Sequence, residues 1–391
     1  MDQANSHIPQ KHSFKFHGDS TEYFGIWIVN ILLSCITLGI YSAWAKVRTN
    51  QYFYGNTELD GDRFEYLAKP LQILLGRIIA AIVFAIWIST STLFPLVNAG
   101  LGVLLMLVFP FLATRNIRFD ARMTRFRNVR FDFQGSYGGA YIAFLGKPVI
   151  AYVLLLIGLM LSMAAIESKS ILAICAALIG LVAVIILTYS WVTAGVARYI
   201  VNGYRYGETQ FKAKVDTGEY MEIVAWAALI VAAFVATFLA LTLGASDFQP
   251  SFRLIRDNSE AQLAKSVLFI VFFVFLYFSI FIFGTIVYGF IKAKTRNYLF
   301  NQIAIDDNLR LSSNIPVSGF IGLMLTNALI TIFTLGLGRP WVDIRTATYL
   351  AEYTHASGDM GFAHIQDHNA GTDNAIADEM VDIFDLNIGA I

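Results

Sequence analysis

The sequence predicts an all-α integral membrane protein in which short β-hairpins on one side of the bilayer connect the membrane segments. Three observations carry this. Apolar residues make up 57% of the 391 and charged residues only 14%, whereas a soluble domain carries about a quarter charged residues. Charge-free runs extend over 23–45, 78–114, 148–166, 170–197, 223–246, 266–291 and 311–338. The polar connections between them repeat an alternating aromatic pattern.

A helix needs roughly 20 apolar residues to cross a hydrocarbon core of about 30 Å, and in lipid its backbone groups must be satisfied internally. The 78–114 run holds two helices, because Ser89 to Thr92, Pro95, Asn98 and Gly100 interrupt it. Six full transmembrane helices follow, paired as about 71–90 with 96–113, 149–166 with 171–196, and 221–244 with 266–291. The longer connection 245–265 places Phe248, Phe252 and Ile255 on one face of an interfacial helix. The net charge is zero and no nucleic-acid module is present. No cleavable signal peptide is visible at the polar start. Cys35 and Cys175 lie within apolar runs, where they read as packing residues.

Arg48, Tyr52, Thr57, Leu59, Gly61, Phe64 and Tyr66 recur at the same spacing as Arg115, Phe119, Thr124, Phe126, Asn128, Phe131 and Phe133. Alternation around Asp60-Gly61 and Arg127-Asn128 is a hairpin signal. Looser copies run from Tyr204 to Phe211 and from Ile303 to Leu311, and Phe14-Lys15-Phe16 reads as a further strand.

The two ends of the chain repeat each other. Gly25, Asn30, Thr37, Leu38, Gly39, Trp44, Arg48, Thr49, Tyr52, Thr57, Gly61 and Asp62 match Gly322, Asn327, Thr334, Leu335, Gly336, Trp341, Arg345, Thr346, Tyr349, Thr354, Gly358 and Asp359 without a gap. This points to a duplicated module, and repeat interfaces are where transporters place their sites. The organisation that follows is a cytoplasmic N-terminal segment (1–22) and a first terminal module with its hairpin (23–69). The three helix pairs (70–319), a second terminal module (320–365) and an acidic tail (366–391) complete it.

The stretch from Asn30 to Asp62, with Thr37 to Arg48 at its centre, resembles the YjgN family of bacterial inner-membrane proteins, as does Thr334 to Trp341. The resemblance covers nearly the whole chain and implies an inner-membrane location. It implies no activity, and no catalytic residues are carried over, because the family is one of unknown function.

All Lys and Arg except Arg77, Lys169, Arg253, Arg256 and Lys265 fall on the hairpin side. The positive-inside rule places that side in the cytoplasm. Each terminal module contains a break, at Thr37-Leu38-Gly39 and at Gly336, Gly338 and Pro340. Either each crosses once, leaving both ends outside, or each enters and returns. The strand at Phe14 favours the re-entrant form; the lack of Lys or Arg after Arg345 weighs against it.

Intramembrane ionisable residues mark ion pathways, and none falls centrally in a proposed span. Arg77, near a helix start, reads as snorkelling. The six histidines lie toward the two ends and read as solvated; no metal spacing, phosphate loop or nucleophile elbow occurs. An enzyme, a cofactor and a metal site are not expected.

Two functions remain open. One is a channel or transporter for a small or lipid-like solute, with a path or helix-break site at Asn30, Thr37, Gly39, Asn327, Thr334 and Gly336. Trp44, Arg48, Trp341 and Arg345 would then serve as interfacial anchors. The other is a non-catalytic scaffold binding a protein partner through its cytoplasmic hairpins. The first predicts a polar cavity, the second a tightly packed bundle. The lipid bilayer is the one partner the sequence specifies; oligomeric state is not indicated.

Overall fold

The computed structural model describes residues 11–244, 260–305 and 309–358. The interfacial helix expected at 245–265 falls almost entirely outside these residues, as does the whole acidic tail, with His7, His364 and His368.

Each stretch of the chain builds the same unit, a strand, two helices and a returning strand. β1 (Lys11–Phe16) leads through Gly18 into α1 (Ser20–Ile36) and α2 (Ser42–Gly55), which return as β2 (Thr57–Leu59). β3 (Asp62–Tyr66) leads into α3 (Pro70–Leu93) and α4 (Pro95–Met123), which return as β4 (Thr124–Phe126). β5 (Val129–Phe133) continues into α5 (Tyr137–Tyr141), a π-turn at Ile142–Gly146 and α6 (Lys147–Glu167). α7 (Ile171–Gly203) then returns as β6 (Tyr204–Tyr206). β7 (Thr209–Ala213), α8 (Thr217–Gly244), α9 (Glu260–Gln302) and β8 (Ile303–Ile305) form the fourth unit. β9 (Leu309–Ser313), α10 (Val317–Phe333), α11 (Arg339–Glu352) and β10 (Thr354–Gly358) form the fifth.

The expected all-α class is overturned by what the strands do together. Among the described residues, ten strands close a barrel in the order β1-β10-β9-β8-β7-β6-β5-β4-β3-β2, and every neighbouring pair is antiparallel. Isolated hairpins of this length would be unstable and would expose unpaired edges. Pairing the two strands of a unit across its helices (Phe64 opposite Phe126, Phe131 opposite Tyr206, Phe211 opposite Ile305) joins successive hairpins and removes those edges. β1 joins the last strand, with Lys11 opposite Ser357.

The alternation read from the sequence decides what fills the barrel. Leu59, Phe126, Val129, Tyr206, Ile305, Leu309 and Ala356 are buried in one cluster, with Phe14, Phe64, Phe131, Phe211 and Leu311 packed against it. Rings on neighbouring strands meet inside the barrel, Phe64 stacked on Phe126 at 4.6 Å and Phe131 tilted beside Tyr206 at 4.9 Å. The Tyr206 hydroxyl donates to the Phe126 carbonyl at 2.9 Å, and burial pushes its pKa up to about 12. The barrel is a filled core, as small barrels are.

On the membrane side each helix packs chiefly against its neighbours in chain order, and α11 packs back on α1, where Trp341 meets Phe24 at 5.2 Å. Among the described residues six helices are long and apolar enough to cross a membrane: Pro70–Thr92, Pro95–Met123, Tyr137–Glu167, Ile171–Gly203, Thr217–Leu241 and Ile270–Gln302. The terminal pairs are shorter. α1 and α10 have 17 residues each, about 25 Å of helix. Each terminal pair returns to the barrel it left: Phe16 lies opposite Thr57, and Ser313 opposite Thr354.

Candidate functional site

The turn of each terminal pair is built by the same residues. In the first, Leu38 and Gly39 have φ of 50° and 91°; in the second, Leu335 and Gly336 have 51° and 88°. This left-handed pair ends the helix in a Schellman-type arrangement, with Gly39 N–H donating to the Ser34 carbonyl and Gly336 N–H to the Thr331 carbonyl. Thr37 Oγ1 donates to the Leu33 carbonyl and accepts from Tyr41 N–H at 2.9 Å. Thr334 Oγ1 donates to the Ile330 carbonyl and accepts from Gly338 N–H at 2.7 Å. Both threonines therefore bridge the break and satisfy the backbone locally. The tips beyond them are bare and apolar, with Leu38 95% and Leu335 92% exposed.

The two asparagines differ. Asn30 is buried with neither side-chain atom hydrogen-bonded. Asn327, also buried, donates from Nδ2 to Thr346 Oγ1 at 3.0 Å, while its Oδ1 has no partner. Asn327 lies in the wall of a cavity of about 980 Å³ bounded by α9, α10, α11 and Phe53 of α2. Its lining interleaves the polar Asn327, Thr331, Thr346, Arg339 and Asp343 with the apolar Ile280, Phe281, Met324, Val342 and Leu350. Arg339 Nε donates to Asp343 Oδ1 at 2.9 Å, four residues on along α11.

Of the sequence-expected residues, Asn327 lines the cavity, Thr37, Gly39, Thr334 and Gly336 build the two turns, and Asn30 is buried on α1 outside that lining. Trp44 stacks on Tyr41 and packs in the cluster joining α2, α3 and α4. Arg48 is exposed, and Arg345 donates to Thr326 Oγ1 at 3.1 Å. Arg339 and Asp343 were missed as site residues; their i, i+4 spacing on the helix after Gly338 was the available signal. Arg77 does more than snorkel, since it donates to Ser42 Oγ of α2 and borders a second, largely apolar cavity of about 1010 Å³ with Val83, Phe84, Trp87, Phe109 and Tyr152.

Nor are the histidines all solvated. His12 pairs with Asp60 at 2.7 Å and His17 with Glu58 at 2.7 Å, while His355 meets Ser13 Oγ at 3.0 Å across the β1–β10 seam. Cys35 and Cys175 are free and exposed on their helices, not packed.

Six spanning helices and two shorter helical hairpins, closed by one barrel, define a multi-pass membrane protein. The chain belongs to the family described as bacterial protein of unknown function (DUF898), whose model matches residues 11–383. It is 29% identical over 363 residues to inner membrane protein YjgN of Salmonella typhimurium strain LT2, covering 89% of each chain. The inner membrane protein YjgN of Escherichia coli strain K12 is 28% identical over 363 residues, again with 89% of each covered. It is a multi-pass protein of the bacterial inner membrane. No solved structure matches the chain.

Proposed function

We propose that the protein carries a lipid-like solute through the cavity between α9, α10 and α11, with the barrel in the cytoplasm and no catalytic step. One observation carries the reading: the mainly apolar lining of the cavity also holds hydrogen-bonding groups, one of them a buried, unpartnered acceptor. Ligand sites are apolar concavities with a few placed polar groups. Two features support a solute drawn from the membrane. The terminal pairs are shorter than the flanking α9, so bilayer lipid lies beside the cavity where they turn back. Ile280 and Phe281, in the apolar part of the lining, are 48% and 40% exposed. The stacked aromatic filling of the barrel argues against an aqueous route along its bore.

The scaffold reading draws support from the basic outer rows of the barrel, where Lys15, Arg63, Arg125, Arg130, Arg205, Lys212 and Arg310 alternate with the inward residues.

Proteoliposomes carrying a fluorescent acyl-chain lipid with a neutral or zwitterionic head separate the two. The wild-type protein should speed probe movement between leaflets, measured by quenching of the outer leaflet. Ala347→Trp, which fills the cavity, should cut that rate at least about tenfold while the protein stays monodisperse. Equal rates with and without protein would remove the transport reading and leave the scaffold.

A further inference from the structure

The polar groups in the cavity wall say which head group it suits. Thr331 Oγ1 donates to the Asn327 carbonyl, Thr285 Oγ1 to the Phe281 carbonyl and Thr346 Oγ1 to the Val342 carbonyl at 2.7 Å. The Thr346 proton is therefore spent within its own helix, so its oxygen faces Asn327 as an acceptor. That fixes the amide: Nδ2 must point at Thr346, and Oδ1 is the atom left over. Among the described residues, Asn327 Oδ1 is the one buried side-chain atom of this wall without a hydrogen-bond partner. A buried acceptor left bare is destabilising, and a ligand donor would relieve it.

Charge narrows the choice further. Arg339 and Asp343 neutralise each other at 2.9 Å, so the wall presents no net charge to an anionic or cationic head. Resting on the lipid-like reading above, we infer that the cavity binds a neutral amphiphile whose head donates a hydroxyl hydrogen bond to Asn327 Oδ1. Its acyl chain would lie along Ile280, Phe281 and Met324. The chemical class is an acylglycerol or long-chain alcohol rather than a charged phospholipid.

The test uses the full chain in phosphatidylcholine nanodiscs and a monoacylglycerol bearing a diazirine in its chain. Labelling should map to α9 and α10, along which the chain lies. Monooleoylglycerol should compete about tenfold better than methyl oleate, which has the same chain and no donor, since one buried hydrogen bond separates them. Asn327→Leu should bring monooleoylglycerol down to the methyl oleate level, while Asn30→Leu, a matched substitution away from the cavity, should leave the difference intact. Should Asn327→Leu fail to fold, Asn327→Asp keeps an oxygen acceptor and should keep the preference.

Equal competition by methyl oleate in the wild type, or by phosphatidylglycerol as strongly as by monooleoylglycerol, overturns the head-group inference. The transport reading survives that outcome if Ala347→Trp still slows leaflet exchange. Labelling absent from α9 and α10, with exchange insensitive to Ala347→Trp, removes both.

Discussion

Arg127 occupies a backbone conformation that a long side chain rarely adopts, with φ of 47°, followed by Asn128 at 64°. Two left-handed residues make the hairpin turn whose twist suits the flanking strands, and the preceding hairpin does the same with Asp60 at 54° and Gly61 at 85°. The strain at Arg127 is about 1 kcal/mol. Its guanidinium offsets this by reaching both Asp60, at 2.6 Å, and Asp62 of the neighbouring turn. His12 closes on the other oxygen of Asp60 at 2.7 Å. The Arg127 hydrogen bond holds the Asp60 carboxyl below the ordinary aspartate range. A folded-state pKa below the unfolded one gives stability that is present above about pH 4 and lost as pH falls through the folded value. The melting temperature in detergent should therefore drop between pH 5 and pH 3, modestly because Asp60 is largely exposed. Asp60→Asn should flatten that dependence, and an unchanged slope would remove the clasp from the account. Both turns were legible as hairpin signals. Their clasp was not, because it joins residues 67 apart, and spacing within one hairpin carries no information about the next.

A pair of short helices that bends back within the bilayer has to satisfy the backbone it frees, since lipid will not. The Thr-Leu-Gly turns do so with their own atoms, and the cost of disturbing them should be small and local. A Cβ at Gly39 or Gly336 meets nothing within 4 Å, so only the left-handed backbone opposes it. Gly39→Ala and Gly336→Ala should each destabilise by about 1 kcal/mol, read as a shift in thermal melting, with little change in leaflet exchange. A loss of exchange without loss of stability would instead put the turns themselves on the solute path. The breaks were plain in the sequence, and so was Asn327, through its match to Asn30. Whether the modules cross or return was left open by charge, because nothing basic follows Arg345. The answer came from strand pairing at Phe16–Thr57 and Ser313–Thr354. Arg339 and Asp343 escaped notice because they sit at the start of the helix after the break, where charge was read only for topology. Only the fold shows that they line a cavity.

For the whole molecule, six apolar stretches were enough to place it in a membrane, and four local alternations were enough to propose hairpins. Closure into a barrel was beyond reach, since each strand has three to six residues and every pairing outside the four hairpins joins distant parts of the chain. One clue was available: Thr354 to Gly358 matches Thr57 to Gly61 in the repeat, which predicts a last strand. The barrel puts its turns and both seam strands at one end of the helices. Single cysteines at Asn128, Glu208 and Ser20, without Cys35 and Cys175, should all react from the cytoplasmic side. A cysteine at Ser168, between α6 and α7, should react from the periplasm. Any mixed pattern among the first three would break the single-barrel arrangement.

The seam between β1 and β10 also sets an order of events during synthesis. In chain order β1 precedes every described spanning helix, and its partner Ser357 follows them all. Helices can enter the bilayer as they emerge, but one edge of β1 must wait for β10. Until then the growing sheet has an open side, and open strand edges recruit other chains. A transcript cut short before Thr354 would yield a product already threaded through the membrane, with unpaired edges at β1 and β9. Barrel closure thus waits on the fifth unit, and a chain interrupted before it keeps both edges open.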